Sequence, residues 1–242
     1  MSKVVLITGA NQGIGYELVK LLAANPEVQK VYLGARNPKS GQEALNAIKG
    51  EGFNNVQFIK IDVTDPTSIT AAKSEIEAND GKLDVLVNNA GIGEFSSDQN
   101  ALTVDVATVR RTVETNLFGL IQVCTTFVPL IRKSPQAAIL NVTTDMASNH
   151  LQAGRPILHL VAYNTSKAAA NSYTIALANE LKKDGVKVNA VTPGFTSTNL
   201  NNHGVGGKTP KQGAETLVKW ALLDKDGPTG QFFDEHGKEF PW

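Results

Sequence analysis

The chain has 242 residues, which suits one large α/β domain, and 41% of them are hydrophobic, enough for a substantial core. Its 23 basic and 23 acidic residues cancel, which argues against nucleic acid or an anionic membrane surface as the main partner. The single cysteine, Cys124, excludes an intrachain disulfide, and its apolar surroundings predict a buried side chain rather than a nucleophile.

The N-terminal segment has a short apolar run, Val4 to Ile7, which is too short for the core of a signal peptide. No continuous apolar run in the sequence is long enough to span a membrane. We therefore expect a soluble, cytoplasmic protein.

Short apolar segments alternate with helical patterns along the whole chain. The predicted strands are 3–8, 30–35, 56–61, 83–88, 137–142, 186–191 and 230–234. Their nearly continuous apolar blocks are typical of strands covered on both faces. Amphipathic helices are predicted at 13–25, 40–52 and 65–80, and an apolar stripe from Val109 to Ile131 predicts one long helix. This alternation predicts a single doubly wound, Rossmann-type α/β domain over residues 1–242, with a mostly parallel seven-stranded sheet and helices on both faces.

A glycine-rich loop, "TGANQGIG" (residues 8–15), joins the first predicted strand to the first predicted helix. Gly9, Gly13 and Gly15 permit a tight turn and a close approach of a pyrophosphate to the helix N-terminus, where free N–H groups favour an anion. The spacing is Gly-x-x-x-Gly-x-Gly, and the alternative is a purely structural turn. The position between a strand and a helix favours nucleotide binding.

Arg36 follows the second predicted strand. An NAD-binding site usually has a carboxylate at this strand end, whereas a nearby arginine accommodates the 2′-phosphate of NADP. This chain has Ala35 and then Arg36, and a guanidinium binds a phosphate through two donors. NADP is favoured; the alternative is a solvated charge at a helix entry.

Tyr163 and Lys167 lie four residues apart in "YNTSKAAA" and share one face of a helix. An ammonium beside a phenol favours the phenolate, so this pair suits proton transfer at neutral pH. A Tyr–Lys pair at this spacing is also common on solvated helices.

Taken in order, "TGANQGIG", "NNAG" (88–91), Asn116, "VTT" (142–144), "YNTSK" and "PG" (193–194) resemble the short-chain dehydrogenase/reductase family. The resemblance spans nearly the whole chain. The segment "GARNPKSGQEAL" and the C-terminal region are most similar to NADP-dependent carbonyl reductases.

The resemblance implies a role for each matching residue. Tyr163 would donate the proton, and Lys167 would lower the pKa of Tyr163 and hold the nicotinamide ribose. Asn116 would position a water that joins Lys167 to solvent, and Thr144 would orient the substrate oxygen. The residues expected to hold NADP(H) are Gly9, Asn11, Gln12, Gly13, Ile14, Gly15, Arg36, Asp62, Val63, Asn89, Ala90, Gly91, Tyr163, Lys167, Pro193, Gly194, Thr196 and Thr198.

Thr144 departs from the family, which normally has a serine there. Threonine keeps the hydroxyl but adds a methyl group and restricts the rotamer, so we expect the role to survive with altered fit. Thr143 is the alternative, since neighbouring strand residues face opposite ways and only one can address the site. His150 and His159 are weaker candidates for proton transfer, and no His, Cys or Asp spacing indicates a metal site.

Two segments are candidates for the substrate pocket. Residues 145–162, longer than usual in the family, are predicted to form part of its wall, and residues 197–210 form a mobile lid or simply a loop. Candidate apolar pocket residues, each of which could equally belong to the core, are Phe95, Met146, Leu151 and Phe195.

We therefore expect an NADPH-dependent carbonyl reductase acting on a small-molecule ketone or aldehyde. The alternatives are an NADP-dependent alcohol dehydrogenase working oxidatively and a non-catalytic dinucleotide-binding redox sensor. The apolar residues of 173–181 fit a homodimer or homotetramer through the Tyr163 helix, and they fit core burial in a monomer equally well.

Overall fold

Seven parallel strands form the central sheet of the computed structural model, which describes residues 2–155 and 159–242. The strands are β1 (Lys3–Ile7), β2 (Val28–Ala35), β3 (Val56–Lys60), β4 (Val85–Asn88), β5 (Ala138–Val142), β6 (Lys187–Val191) and β7 (Phe232–Phe233). Their order is β3-β2-β1-β4-β5-β6-β7, and each neighbouring pair is parallel. The predicted doubly wound sheet is confirmed. The assignment of one domain to residues 1–242 stays a prediction.

The strand order reverses at β1, which pairs with β2 on one side and β4 on the other. Ligands of such sheets bind outside the carboxyl ends of the strands at this reversal. The glycine-rich loop leaves β1 at that point.

Helices cover both faces of the sheet. They are α1 (Gly13–Ala23), α2 (Pro38–Gly50), α3 (Pro66–Asp80), α4 (Val106–Val113), α5 (Leu120–Ile131), α6 (Asn149–Ala153), α7 (Val161–Leu181) and α8 (Pro210–Ala221). One core cluster contains Ile76 of α3, Phe127 of α5 and Leu177 of α7. The opposite cluster contains residues of α1, α2 and α8, such as Leu18 and Leu217. The apolar faces read from the sequence therefore pack against the sheet.

Capping residues set the starts of several helices. Asn37 and Asp65 accept backbone N–H bonds at the start of α2 and α3, and a proline follows each of them. A side-chain cap accepts from backbone N–H groups of the first turn that have no partner within the helix, and proline suits the first helical position. Each of these helices therefore begins at the proline that follows its capping residue. They begin at 38 and 66 rather than at the predicted 40 and 65.

The long helix predicted from its apolar stripe runs from α4 to α5 but contains a π-helical turn, Glu114–Gly119. A π turn pairs each N–H with the carbonyl five residues earlier and often marks a functional site. Asn116 lies in this turn and is buried. The periodicity of the apolar stripe did not predict this π-helical turn.

By length and composition alone, the helix Val106–Ile131 is able to cross a membrane. Core helices of globular proteins meet the same criterion. Here Phe127, Leu130 and Ile131 are fully buried against the chain's own sheet, which accounts for the apolar composition of α5.

Cys124 of α5 is fully buried, as predicted. Burial raises the pKa of its thiol to about 12, so the thiolate needed for nucleophilic attack is not formed at neutral pH. On α7, Leu177, Ala178 and Leu181 lie in the core of this same chain. Core burial therefore accounts for these apolar residues of the 173–181 segment, and the oligomeric state stays a prediction.

Candidate active site

A cavity of about 310 Å³ lies at the carboxyl ends of the strands. Residues that directly follow β1, β2, β3, β4 and β5 all line it, as expected at the reversal of strand order. The predicted site residues in its lining are Gly9, Asn11, Gln12, Gly13, Ile14, Arg36, Asp62, Val63, Asn89, Ala90, Gly91, Tyr163, Lys167, Pro193 and Thr198. One cavity thus joins the glycine-rich loop to the Tyr163–Lys167 pair.

The glycine-rich loop has the backbone that its sequence requires. Gly9 and Gly13 have φ of +62° and +61°, a region that side chains with a Cβ rarely adopt. A Cβ on Gly9 would also lie 2.8 Å from the Cα of Ala90. At the N-terminus of α1, Gln12 makes no side-chain capping bond, which leaves first-turn N–H groups for an anion.

Arg36 lines the same cavity as the glycine-rich loop and is exposed, directly after the buried Ala35. Asp62 lies further along this rim, where its Oδ1 accepts bonds from the backbone N–H (3.0 Å) and hydroxyl (2.8 Å) of Thr64. Asn89 braces the loop through Nδ2, which donates to the carbonyls of Thr8 and Gly9, both at 3.0 Å. Arg36 thus adds an exposed cation to the cavity that the glycine-rich loop lines; its role toward a 2′-phosphate stays a prediction.

Tyr163 and Lys167 lie on α7 and are both more than nine-tenths buried, so the pair is not a solvated helix face. Lys167 Nζ donates to the carbonyl of Val142 at 2.9 Å. Burial lowers the pKa of this lysine from 10.5 to about 8, because an ammonium is less stable away from water. At neutral pH the amine remains mostly protonated.

The pKa of Tyr163 lies above its ordinary value, mainly because burial disfavours the phenolate and secondarily because of the negative charge of Asp145. This direction is opposite to the lowering expected from the neighbouring Lys167. The four-residue spacing predicts an ammonium on the same helix face, but it does not predict how deeply the phenol is buried. Phe95 contributes to that burial, since its ring packs edge-on against the Tyr163 ring at 5.0 Å.

Asn116 ties three elements together through its side chain. Its Oδ1 accepts from the backbone N–H of Ile92 (2.9 Å), and its Nδ2 donates to the carbonyl of Ile92 (2.8 Å) and to Ser166 Oγ (3.0 Å). A Cβ added to Gly91 would lie 3.1 Å from Asn116 Oδ1 and 3.5 Å from Lys167 Nζ. Asn116 therefore borders the amine, while its side chain holds the loop after β4 against α7.

The two threonines after β5 differ from the expectation. Thr143 lines the cavity and is buried, and no partner for its hydroxyl was found within the described residues. Thr144 lies outside the lining, where its Oγ1 accepts from the N–H of Met146 (3.3 Å) and donates to Asp145 Oδ1 (3.2 Å). The alternation of facing residues was anticipated, but Thr144 was expected to face the site.

Three further predicted cofactor residues lie outside the cavity lining, namely Gly15, Gly194 and Thr196. Gly15 packs tightly against Asn89 and the carbonyl of Gly9, and Thr196 Oγ1 donates to the carbonyl of Gly194 at 3.1 Å. These residues shape the loops behind the site.

Several residues that line the cavity are not among the individually predicted site residues. They are Ile61, Thr64, Ile92, Thr115, Val142, Asn199 and Leu200, the last two within the predicted pocket segment 197–210. Thr64 and Ile92 stand close after strand ends, a signal that could have found them. The position of Asn199 at the cavity does not follow from a strand end. Its Nδ2 donates to Gln12 Oε1 at 2.6 Å, and this contact joins residues far apart in sequence.

One of the two predicted pocket segments is only partly described. In 145–162, residues 156–158 lie outside the described residues, and Arg155 forms an ion pair with Asp145 at 2.7 Å. A ring nitrogen of His159 forms a hydrogen bond with the carbonyl of Arg155 (2.8 Å). Neither His159 nor the exposed His150 is among the residues that line the cavity. In 197–210, a short 3₁₀ turn (Asn199–Asn201) borders the cavity; its role as a lid stays a prediction.

A family model described as short chain dehydrogenase matches residues 3–205. The chain is 29% identical to the salutaridine reductase of Papaver somniferum, with 95% of this chain and 93% of that protein covered. It is 31% identical to the (+)-neomenthol dehydrogenase of Arabidopsis thaliana, with 94% of each covered. The solved structure of an NADPH-bound carbonyl reductase from chicken fatty liver matches with a TM-score of 0.87 at 26% identity, covering 100% of this chain and 99% of that one. The similarity thus extends over nearly the whole chain.

Proposed function

Because the chain belongs to the short-chain dehydrogenase family, we propose that it reduces a ketone or aldehyde with NADPH, with Tyr163 as the proton donor. It is an oxidoreductase of the NADP(H)-dependent, carbonyl reductase-like kind, which the similarity to the NADPH-bound carbonyl reductase supports. The observation that carries the proposal is the continuous cavity between the glycine-rich loop and the Tyr163–Lys167 pair.

The residues of the cavity fit this cofactor. First-turn N–H groups of α1 would bind the pyrophosphate, and Arg36 would bind the 2′-phosphate. Asp62 and Val63 would contact the adenine, and residues 89–91 its ribose. Lys167 would hold the nicotinamide ribose, with Pro193 and Thr198 near the nicotinamide. When bound, NADPH supplies the hydride for the carbonyl carbon.

At neutral pH, Tyr163 is in the protonation state that carbonyl reduction uses. The raised pKa of Tyr163 keeps its hydroxyl protonated near neutral pH, which is the form that a proton donor needs. Oxidation would need the phenolate instead. Release of the proton from Tyr163 to the substrate oxygen would be assisted by the positive charges of the Lys167 ammonium and of the oxidised nicotinamide.

Turnover separates this proposal from a non-catalytic redox sensor. We expect the purified protein to consume NADPH, measured by loss of its absorbance, with at least one member of a panel of aldehydes, ketones and diketones. If the protein binds NADPH but shows no rate above background with any member, the sensor becomes the better account.

Arg36→Ala is expected to weaken NADPH binding by about 10- to 100-fold, because a hydrogen bond to a charged group contributes about 1.5–3 kcal/mol. NADH, which lacks the 2′-phosphate, should lose little. Fluorescence titration of both nucleotides measures the two dissociation constants. Lys49→Ala, at the far end of α2, serves as a control for the loss of one positive charge. Equal losses for NADPH and NADH in Arg36→Ala would contradict this role.

Thr144→Val tests the role that the family resemblance gives to Thr144: removing one hydrogen bond to the substrate oxygen is expected to lower kcat/KM for the carbonyl substrate by about 10-fold or more. Thr144→Ser should retain activity. Thr143→Val is the matched variant one residue away, where a buried hydroxyl is replaced by a methyl group of similar size. Loss of activity in Thr143→Val alone would transfer the role to Thr143.

A further inference from the structure

Gln99 is a buried glutamine between β4 and α4, 3% exposed, and the motifs in the sequence do not include it. Its side chain makes three hydrogen bonds to backbone groups. Oε1 accepts from the N–H of Tyr163 at 3.1 Å, while Nε2 donates to the carbonyls of Gly93 (2.8 Å) and Glu94 (3.0 Å). Its own backbone carbonyl accepts from the N–H of Val161 at 3.1 Å.

These bonds supply the N-terminal cap of α7. The residue in the N-cap position, Leu160, has no side-chain capping bond. A helix leaves its first N–H groups without partners in its own backbone, and here Gln99 accepts from two of them, at Val161 and Tyr163. Gln99 thus caps the helix from a distant segment, whereas a serine or aspartate at the N-cap position usually has this role. One of the two capped N–H groups belongs to Tyr163 itself.

The other end of the Gln99 amide holds the loop that packs on the Tyr163 ring. Gly93 and Glu94 immediately precede Phe95, whose ring meets that of Tyr163 edge-on, with the planes at 77°. Glu94 has φ of +51°, a conformation that persists only where surrounding contacts enforce it. The amide orientation is determined, because only its oxygen can accept from an N–H and only its nitrogen can donate to carbonyls. Backbone and ring of Tyr163 are therefore both held through one side chain.

We propose that Gln99 is a positioning residue that holds the backbone and ring of Tyr163 in the orientation that proton donation requires. Gln99 is not itself among the residues that line the cavity, but it bonds directly to the backbone of Tyr163, which is. The inference rests on the proposed function, since it assigns Gln99 a part in the proton transfer by Tyr163.

Gln99→Met keeps the length of the side chain and removes both its acceptor and its donors. We expect kcat to fall by about 10- to 100-fold, the range in which a small misplacement of a reacting group acts. The dissociation constant of NADPH should stay within about 2-fold of wild type. Gln136→Met is the matched control, because Gln136 also donates to a backbone carbonyl, that of Leu223, at 3.1 Å.

A double-mutant cycle with Tyr163→Phe separates positioning from a general structural role. If Gln99 acts through Tyr163, Gln99→Met should leave the residual rate of Tyr163→Phe unchanged, because the group that it positions is already lost. An equal rate loss in both backgrounds would overturn the proposal. Should Gln99→Met not fold, the cycle is run with Gln99→Glu, which keeps the acceptor for Tyr163 and loses the donors.

Failure of this inference and failure of the proposed function are distinguishable. If Tyr163→Phe retains full activity, the proton donor itself is wrongly assigned. If Tyr163→Phe is inactive but a folded Gln99 variant has wild-type kcat, only the positioning role is wrong.

Discussion

Replacing Tyr163 with phenylalanine is expected to lower kcat for carbonyl reduction by about 10²- to 10⁴-fold, the usual contribution of a general acid. The substitution removes the one hydroxyl that would protonate the developing alkoxide. It leaves the aromatic ring, and with it the edge-on packing against Phe95. The loss should therefore lie in the chemical step.

Binding and stability should change little in Tyr163→Phe. The glycine-rich loop and Arg36, which would bind the phosphates, are left unchanged by the substitution. Steady-state kinetics, NADPH titration and thermal unfolding of the same preparation measure these quantities together.

Tyr173→Phe is the matched control, since Tyr173 lies on the same helix α7 and packs against the core. Deleting its hydroxyl tests for nonspecific damage to α7. Retained activity in Tyr163→Phe, or an equal loss in Tyr173→Phe, would contradict the assignment of the proton donor.

Lys167→Met is expected to lower kcat/KM by about 10²-fold or more, because it removes the ammonium charge near the phenol and the proposed ribose contact together. In wild type the same charge is lost by titration. Since burial lowers the pKa of Lys167 to about 8, kcat/KM for reduction should fall as pH rises through about 8. A flat profile through that range would contradict a role for the ammonium.

Raising the pH is expected to stabilise the wild-type protein relative to Lys167→Met, although it lowers kcat/KM. The lysine has a pKa of about 8 in the folded state and 10.5 as its ordinary value, so between these pH values the unfolded chain binds more protons. The free energy of unfolding of wild type should therefore rise through this range relative to Lys167→Met, by about 3 kcal/mol. Chemical denaturation at several pH values measures the difference. Replacing the exposed Lys183 with methionine provides a control for the loss of one lysine charge at the surface.

The local features of this protein could be predicted from its sequence. Continuous apolar blocks predicted the seven strands, and alternation with amphipathic helices predicted the parallel sheet. Gly9 and Gly13 were expected to permit a tight turn after the first strand, and both have positive φ. The four-residue step from Tyr163 to Lys167 placed both on one helix, where they line one cavity. Such properties depend on periodicity and on backbone conformation, which neighbouring residues determine.

Other features depended on contacts between distant parts of the chain. The pKa of Tyr163 is raised rather than lowered because distant segments, such as that of Phe95, bury the ring and thereby disfavour the phenolate. Whether Thr143 or Thr144 faces the cavity follows from the turn after β5. The cap that Gln99 supplies to α7 spans 64 residues of sequence. The sequence therefore determined which groups are present at the strand ends and on each helix face. Only the tertiary structure decided their burial, their partners and hence their acidity, because these depend on which distant segments pack together.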